Sequence, residues 1–330
     1  MMPAEPSAHP FSVLDPGALL DMLEAVGLEP DGRLLALNSY ENRVYQLGIE
    51  EAEPVILKVY RPGRWSQAAI AEEHAFALEL AEADIPVVPP LLVNGQSLHV
   101  LGDFCFAVYP RRGGHAPPLD NADTREWLGR MLGRLHQIGA TRAFTHRRDI
   151  AASLSGQRSR DYLLEHQWIP AHIEAAYHSV TEGLFADIAG AFERAGDWQG
   201  IRLHGDFHPG NILWTDAGPH LVDLDDCMTG PAIQDLWMML SGDRAERSLQ
   251  LADILAGYEQ FYDFDPRELN LIEALRTLRM MHHAAWLARR WDDPAFPAAF
   301  PWFATDRYWE EHVLALREQA AAMQEPPLVV

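Results

Sequence analysis

His204-Gly205-Asp206-Phe207-His208-Pro209-Gly210-Asn211 runs directly into the apolar Ile212-Leu213-Trp214, and Leu221-Val222-Asp223-Leu224-Asp225-Asp226 follows shortly after. The pattern reads as a polar loop, a short hairpin and a carboxylate cluster. A turn over Thr215 to Pro219 centred on Ala217 would set Trp214 against His220, Leu213 against Leu221, Ile212 against Val222 and Asn211 against Asp223. Directly opposed residues of an antiparallel pair have Cβ atoms roughly 4.5–5.5 Å apart. An amide oxygen and a carboxylate would then converge at the mouth of the hairpin. Two hard oxygen donors suit Mg²⁺, which takes few protein ligands and completes its octahedron with water and phosphate oxygens. Asp206, a few residues upstream, is placed to act as a base beside such a metal.

The elements that must hold these residues fall into two regions. A short helix is expected over Pro16 to Val26, with Leu19, Leu20 and Leu23 on one face. Strands are expected at Leu34–Leu37, Val44–Ile49, Val55–Tyr60, Ser97–Leu101 and Phe104–Tyr109. An amphipathic helix from Ser66, its N-cap, to Ala83 interrupts them. This order fits a small antiparallel sheet carrying one packed helix. The character changes at Pro110-Arg111-Arg112-Gly113-Gly114. Helical patterns then dominate: Thr124–Ile138, Pro170–Arg194, Ile233–Leu240, Ser248–Tyr262, Pro266–Arg290 and Asp306–Met323. The expectation is an α+β chain with a sheet-bearing N-terminal lobe over 1–111 and a larger helical lobe over 112–330.

Composition limits the function classes. With 330 residues, about half of them apolar, the chain can bury a sizeable core. A net charge of −22 argues against nonspecific binding to nucleic acid or to anionic membrane. The two cysteines, Cys105 and Cys227, make no disulfide framework and fit a reducing cytoplasm. Met1 to Phe11 has neither the basic start nor the apolar run of a signal peptide, and no stretch reads as membrane-spanning. A cytoplasmic monomer is expected.

The His-Gly-Asp loop, Asn211 and Asp223 together resemble the catalytic centre of the protein-kinase-like phosphotransferases, in the aminoglycoside and choline kinase branch. That resemblance implies a two-lobed protein-kinase-like fold. It makes Asp206 the catalytic base, Asn211 and Asp223 the Mg²⁺ ligands, and ATP the co-substrate. Lys58, in Pro54-Val55-Ile56-Leu57-Lys58-Val59-Tyr60, shares a strand face with Ile56 and Tyr60. Read beside the motif, it is the residue to grip ATP phosphates, and Glu73 resembles its helix partner better than Glu72 does. No glycine-rich loop is present. The segment Leu37-Asn38-Ser39-Tyr40-Glu41-Asn42-Arg43-Val44-Tyr45 offers Ser39 for phosphate contact, or forms a plain hairpin turn.

Four segments extend the resemblance over almost the whole chain. They are Asn38 to Tyr45, Val59-Tyr60-Arg61-Pro62-Gly63-Arg64-Trp65, Gly230-Pro231-Ala232-Ile233-Gln234-Asp235-Leu236-Trp237 and Asp293-Pro294-Ala295-Phe296-Pro297. They resemble the stress response kinase family of Gram-negative bacteria. This implies an ATP- and Mg²⁺-dependent kinase acting on serine or threonine of protein, itself included. The alternatives are a small-molecule hydroxyl kinase of choline, homoserine or aminoglycoside type, and a silent nucleotide-binding module.

Several neighbours carry two readings. Asp225 could reach the metal through water and Asp226 could face the acceptor, or both merely raise the local field. Asp235 either braces the catalytic loop or lies on a helix surface, and His204 orients the loop. Arg276, Arg279 and His283 share a face at helical spacing and form a phosphoacceptor groove, a phosphate clamp or a solvated face. Gly205-Asp206-Phe207-His208 also has a faint metallophosphoesterase look. That chemistry needs further His and Asp ligands, and no Asp-x-His precedes it.

Overall fold

The computed structural model describes residues 9–330. In chain order the elements are α1 (Pro16–Ala25), β1 (Pro30–Ala36), β2 (Arg43–Ile49), β3 (Ala52–Val59), α2 (Gln67–Glu82), β4 (His99–Leu101), β5 (Phe104–Pro110), α3 (Ala122–Gly139), α4 (Ile150–Ser153), α5 (Gly156–Glu165), α6 (Ala171–Ala195), β6 (Ile201–Leu203), β7 (Ile212–Thr215), β8 (Gly218–Leu221), β9 (Met228–Gly230), α7 (Ile233–Trp237), α8 (Arg244–Tyr258), α9 (Ile272–Arg289), α10 (Ala295–Ala299) and α11 (Asp306–Ala322). Single 3₁₀ turns lie at Pro209–Asn211, Leu224–Asp226 and Pro266–Leu271.

The chain divides into two compact units. One holds the described residues up to Ala116 together with Ile212–Asp225; the other holds Pro117–Asn211 and Asp226–Val330. The segment bearing Asp223 therefore groups with the sheet, although it follows most of the helices in sequence.

The first unit is an antiparallel sheet in the order β1-β2-β3-β5-β4. Period-two alternation along β3 gives it two buried faces. Val55, Leu57 and Val59 join Leu47, Phe106 and Val108 in a core covered by Leu19, Met22 and Leu23 of α1. Asp15 caps α1 by accepting from Ala18 N at 2.8 Å, with Pro16 in the first turn. The opposite face carries Lys58 and Tyr60, where Tyr60 packs with Ile70 of α2 and Ala107. Ser66 caps α2, as expected, through Ala69 N at 3.2 Å. Ile70, Glu73, His74, Ala77 and Leu80 fall on the helix's buried stripe.

The second unit is mostly helical. α3 and α8 approach closely enough to exclude side chains at the crossing. A Cβ on Gly129 would lie 1.9 Å from Ile254 O, and one on Gly257 would lie 2.0 Å from Glu126 O. α8 starts at Arg244, four residues before the expected Ser248, because Asp243 and Glu246 form a reciprocal capping box. The run expected as one helix from Pro266 divides into a 3₁₀ turn and α9. Among the described residues, no helix is long and apolar enough to cross a membrane.

Glu268, in that 3₁₀ turn, is 3% exposed and accepts from Ile233 N at 2.9 Å, at the start of α7. Burial pushes its carboxyl up to about 7, against the opposing effect of the Ile233 N–H. A carboxyl raised in the folded state stabilises the protein fully below its unfolded pKa and loses that contribution as pH rises through the folded value. The wild type should therefore lose stability relative to Glu268→Gln between about pH 4.5 and 7, by at most ~3 kcal/mol. Urea denaturation of both proteins across that range checks it; parallel curves would refute it.

Candidate active site

In the helical unit, the Asp206 loop follows β6, which pairs antiparallel with β9. All three residues of β6 are buried, and Phe207 beyond it has no exposure. Gly205 has φ +84, and a Cβ there would meet Asp226 O at 2.1 Å, so no larger residue fits. The loop backbone is held by α7. Fully buried Asp235 accepts from His204 N and Gly205 N, both at 2.8 Å, and Gln234 Nε2 donates to Gly205 O at 2.9 Å. His136 Nε2 lies 3.1 Å from Asp235, and its Nδ1 lies 2.7 Å from the Tyr258 hydroxyl. Of the two readings of Asp235, the bracing one describes this geometry. His204 contributes to the loop as anticipated, its Nδ1 accepting from Asp206 N at 3.3 Å.

Asp206 lies among cationic and polar side chains. Arg279 Nη1 of α9 lies 2.7 Å from Oδ1 and His208 Nε2 lies 3.4 Å from Oδ2. Asn211 Nδ2 donates to Asp206 O at 3.0 Å, which leaves the amide oxygen as the ligating end of that side chain. Burial opposes ionisation of Asp206, but the His208 hydrogen bond and the Arg279 charge outweigh it. They hold the carboxyl well below the usual range. The expected Arg276–Arg279–His283 face does not act together. Arg276 turns to Glu273 at 3.5 Å and lies over Trp237, while His283 stacks on Trp286.

In the sheet unit, Lys58 is 6% exposed and faces three carboxylates. Asp223 Oδ1 is 2.9 Å from Nζ, Asp225 Oδ1 3.5 Å and Glu73 Oε1 3.6 Å. Burial disfavours the ammonium, yet Asp223, Asp225 and Glu73 raise its pKa well above the ordinary lysine value. Asp225 also pairs with Arg64, so its carboxylate lies between two cations. Glu73 is buried on the helix face that meets Lys58, whereas Glu72 is only partly buried.

The β7–β8 hairpin differs from expectation by one residue. The ladder pairs Ile212↔Leu221, Leu213↔His220, Trp214↔Pro219 and Thr215↔Gly218. Asn211 and Asp223 are therefore not an opposed pair. The loop is the two-residue Asp216-Ala217, closed by Thr215 Oγ1, which accepts from Ala217 N and donates to Gly218 O. Asp223 instead takes its aim from a left-handed backbone, φ +61, just after the hairpin. The hairpin is clamped on both sides, by Val88 N to Leu221 O at 2.9 Å and by Trp214 N to His115 O at 2.7 Å. Ser39 closes the β1–β2 turn, its Oγ accepting from Val44 N at 3.1 Å. Arg61 and Arg64 hold the same turn through Glu41, at 3.2 and 3.7 Å.

A buried lysine on the central strand β3, held by a helix glutamate, and an Asp-Asn loop braced by a buried aspartate define an ATP-dependent kinase. The model of the phosphotransferase enzyme family matches residues 33–272. Stress response kinase A of Escherichia coli (strain K12) and the serine/threonine protein kinase RdoA of Salmonella typhimurium (strain LT2) are each 45% identical over 322 residues, covering 98% of this chain and 97% of theirs. The chain belongs to the phosphotransferase enzyme family and, within it, to the stress response kinase A family. Among solved structures, amicoumacin kinase hAmiN, in complex with AMP-PNP and Ca²⁺, superposes with TM-score 0.69 at 22% identity, covering 90% of this chain and 93% of that one. A microcompartment-associated aminopropanol kinase gives 0.67 at 16% identity, covering 93% and 96%. These two share the fold.

Asp235→Ala would strip the loop of its acceptor and leave the His204 and Gly205 amides and the His136 ring buried without one. The expected cost is about 3–5 kcal/mol. Asp235→Asn, which keeps one oxygen, should cost less. Chemical denaturation of the two variants checks the order; equal losses would refute the double acceptor role.

Proposed function

We propose that this protein is a cytoplasmic, monomeric, Mg²⁺-dependent serine/threonine kinase of the bacterial stress response, transferring the γ-phosphoryl group of ATP to hydroxyls on protein, including its own. The observation that carries this reading is the 45% identity, over nearly the full length of both chains, to relatives named stress response kinase A and serine/threonine protein kinase RdoA. The solved small-molecule kinases share only the fold at 22% identity or less, so they do not favour a small acceptor.

Lys58 grips phosphate oxygens, Glu73 holds Lys58, and Ser39 with its turn amides lies against the phosphates. Asn211 and Asp223 are the metal ligands. The donor set fits Mg²⁺: one amide oxygen, and one carboxylate whose side chain is 53% exposed and so able to leave Lys58. Bound Mg²⁺ would neutralise charge on the phosphates. Asp206, kept ionised, aligns the acceptor hydroxyl and takes its proton. The rate enhancement comes chiefly from positioning and charge neutralisation.

Asp206→Asn should leave ATP affinity nearly intact and cut turnover roughly 10²–10⁴-fold. Calorimetry with ATP and a radiolabelled-phosphate assay on the protein itself and a generic protein acceptor separate the two effects. Loss of ATP affinity with normal turnover per bound ATP would make Asp206 a ligand instead. Asp223→Ala should abolish the enhancement of ATP binding by Mg²⁺; an enhancement that survives the substitution removes Asp223 from the metal site. Labelled serine or threonine that vanishes in Asp206→Asn supports the protein acceptor. Rapid ADP release on choline, homoserine or an aminoglycoside, with no protein label, overturns it.

A further inference from the structure

Asp206 receives a guanidinium from far away in sequence. The loop itself supplies none, because residues 205–211 contain neither lysine nor arginine. Arg279 comes from α9, and its Nη1 stands 2.7 Å from Asp206 Oδ1 with the arginine side chain 40% exposed. From Ala274 to Trp291 there is no aspartate or glutamate, so the helix around Arg279 offers it no carboxylate of its own.

The contact helps hold Asp206 in its ionised form, with the Arg279 side chain 40% exposed and that of Asp206 21% exposed. The loop backbone is already fixed by Asp235 and Gln234, neither of which involves Arg279. A guanidinium beside the acceptor-binding carboxylate has another use. A hydroxyl hydrogen-bonded to Asp206 sits roughly 2.6–3.2 Å from its oxygen, and the phosphorus it attacks lies roughly 3–3.5 Å from that hydroxyl. The partly exposed Arg279 side chain has several rotatable bonds through which its fork can turn.

We propose that Arg279 is a catalytic residue: it donates hydrogen bonds to the transferring phosphoryl group, supplying from α9 the cation that the Asp206 loop lacks. The proposal rests on the assignment of Asp206 as the acceptor-binding carboxylate. In the transfer, the acceptor oxygen forms a bond to the γ-phosphorus. The bond from that phosphorus to the bridging oxygen breaks, ADP leaves with the electron pair, and the hydroxyl proton passes to Asp206. Arg279 keeps its protons throughout. It stabilises the charge spread over the three equatorial oxygens in the transition state. Its planar fork suits two of those oxygens, which a lysine ammonium cannot match.

The test uses the full-length protein with Mg²⁺ and ADP, with and without aluminium fluoride, whose complex with ADP imitates the phosphoryl group in flight. No acceptor is required. Calorimetry should give Arg279→Ala an ADP affinity within about twofold of wild type and an affinity for the fluoride complex lower by roughly 10²-fold. Arg279→Lys should recover part of that loss, and it stands in should the alanine variant not fold. Added guanidinium ion should raise autophosphorylation by Arg279→Ala and leave the wild type unchanged. An unaltered affinity for the fluoride complex, or equal losses for ADP and for the complex, overturns the proposal while leaving the kinase assignment in place. If the wild type gains no affinity from fluoride, the active-site assignment itself falls, and this proposal with it.

Discussion

A carboxylate removed from water must be matched by donors, and the site depends on how Asp235 meets that requirement. Its two oxygens take the His204 and Gly205 amides and the Nε2 proton of His136. Nδ1 of the same ring lies 2.7 Å from the Tyr258 hydroxyl. One buried charge thus fixes the backbone of the Asp206 loop, a ring on α3 and the end of α8. The loop can be short and irregular because its shape is imposed from α7 rather than by its own propensities. Gly205 follows from the same constraint: the chain turns tightly against Asp226 O, in a left-handed conformation that a side chain would prevent.

Lys58 poses the opposite problem in the other unit. Burying an ammonium is costly unless anions surround it, and here Asp223, Asp225 and Glu73 do so. Each comes from a different local solution. Glu73 lies on the buried stripe of α2, and Asp225 sits in a 3₁₀ turn where Arg64 shares it. Asp223 depends on a left-handed backbone at the end of a hairpin that is clamped on both sides. Their exposure differs: Glu73 and Asp225 are buried beside the lysine, whereas Asp223 is half exposed.

Much of this was legible in the sequence, and the failures have identifiable causes. The strand alternation that put Lys58 and Tyr60 on one face follows from a period of two, and the Ser66 cap from a hydroxyl residue just ahead of an amphipathic run, whereas Glu73 is singled out by the family resemblance. The hairpin register did not follow, because an odd loop centred on Ala217 and a two-residue loop at Asp216-Ala217 differ by one residue. Gly218, with φ +118, and the bridging Thr215 hydroxyl close the shorter loop. β6 and β9 escaped notice because each has three residues and they pair across a long sequence separation. Arg279 was visible only as one of several cations on a helix face. What distinguishes it from Arg276 is its partner, and partners across long sequence separations are not written in periodicity.

A chain with a net charge of −22 that uses a polyanionic co-substrate needs its cations concentrated rather than numerous. Lys58, Arg61 and Arg64 achieve this within the sheet unit, each largely withdrawn from water and each tied to a carboxylate beside the β1–β2 turn or the Asp223 segment. In a low-dielectric setting such charges act over short range with little screening, whereas the surplus surface carboxylates act through water and salt. The same arrangement makes a glycine-rich loop unnecessary for shaping the turn. Where glycine would give a flexible strap, Ser39 closes the turn through Val44 N, Arg61 holds the Tyr40 and Glu41 carbonyls, and Arg64 joins Glu41 to Asp225. The turn is therefore linked electrostatically to the carboxylate segment that follows the hairpin.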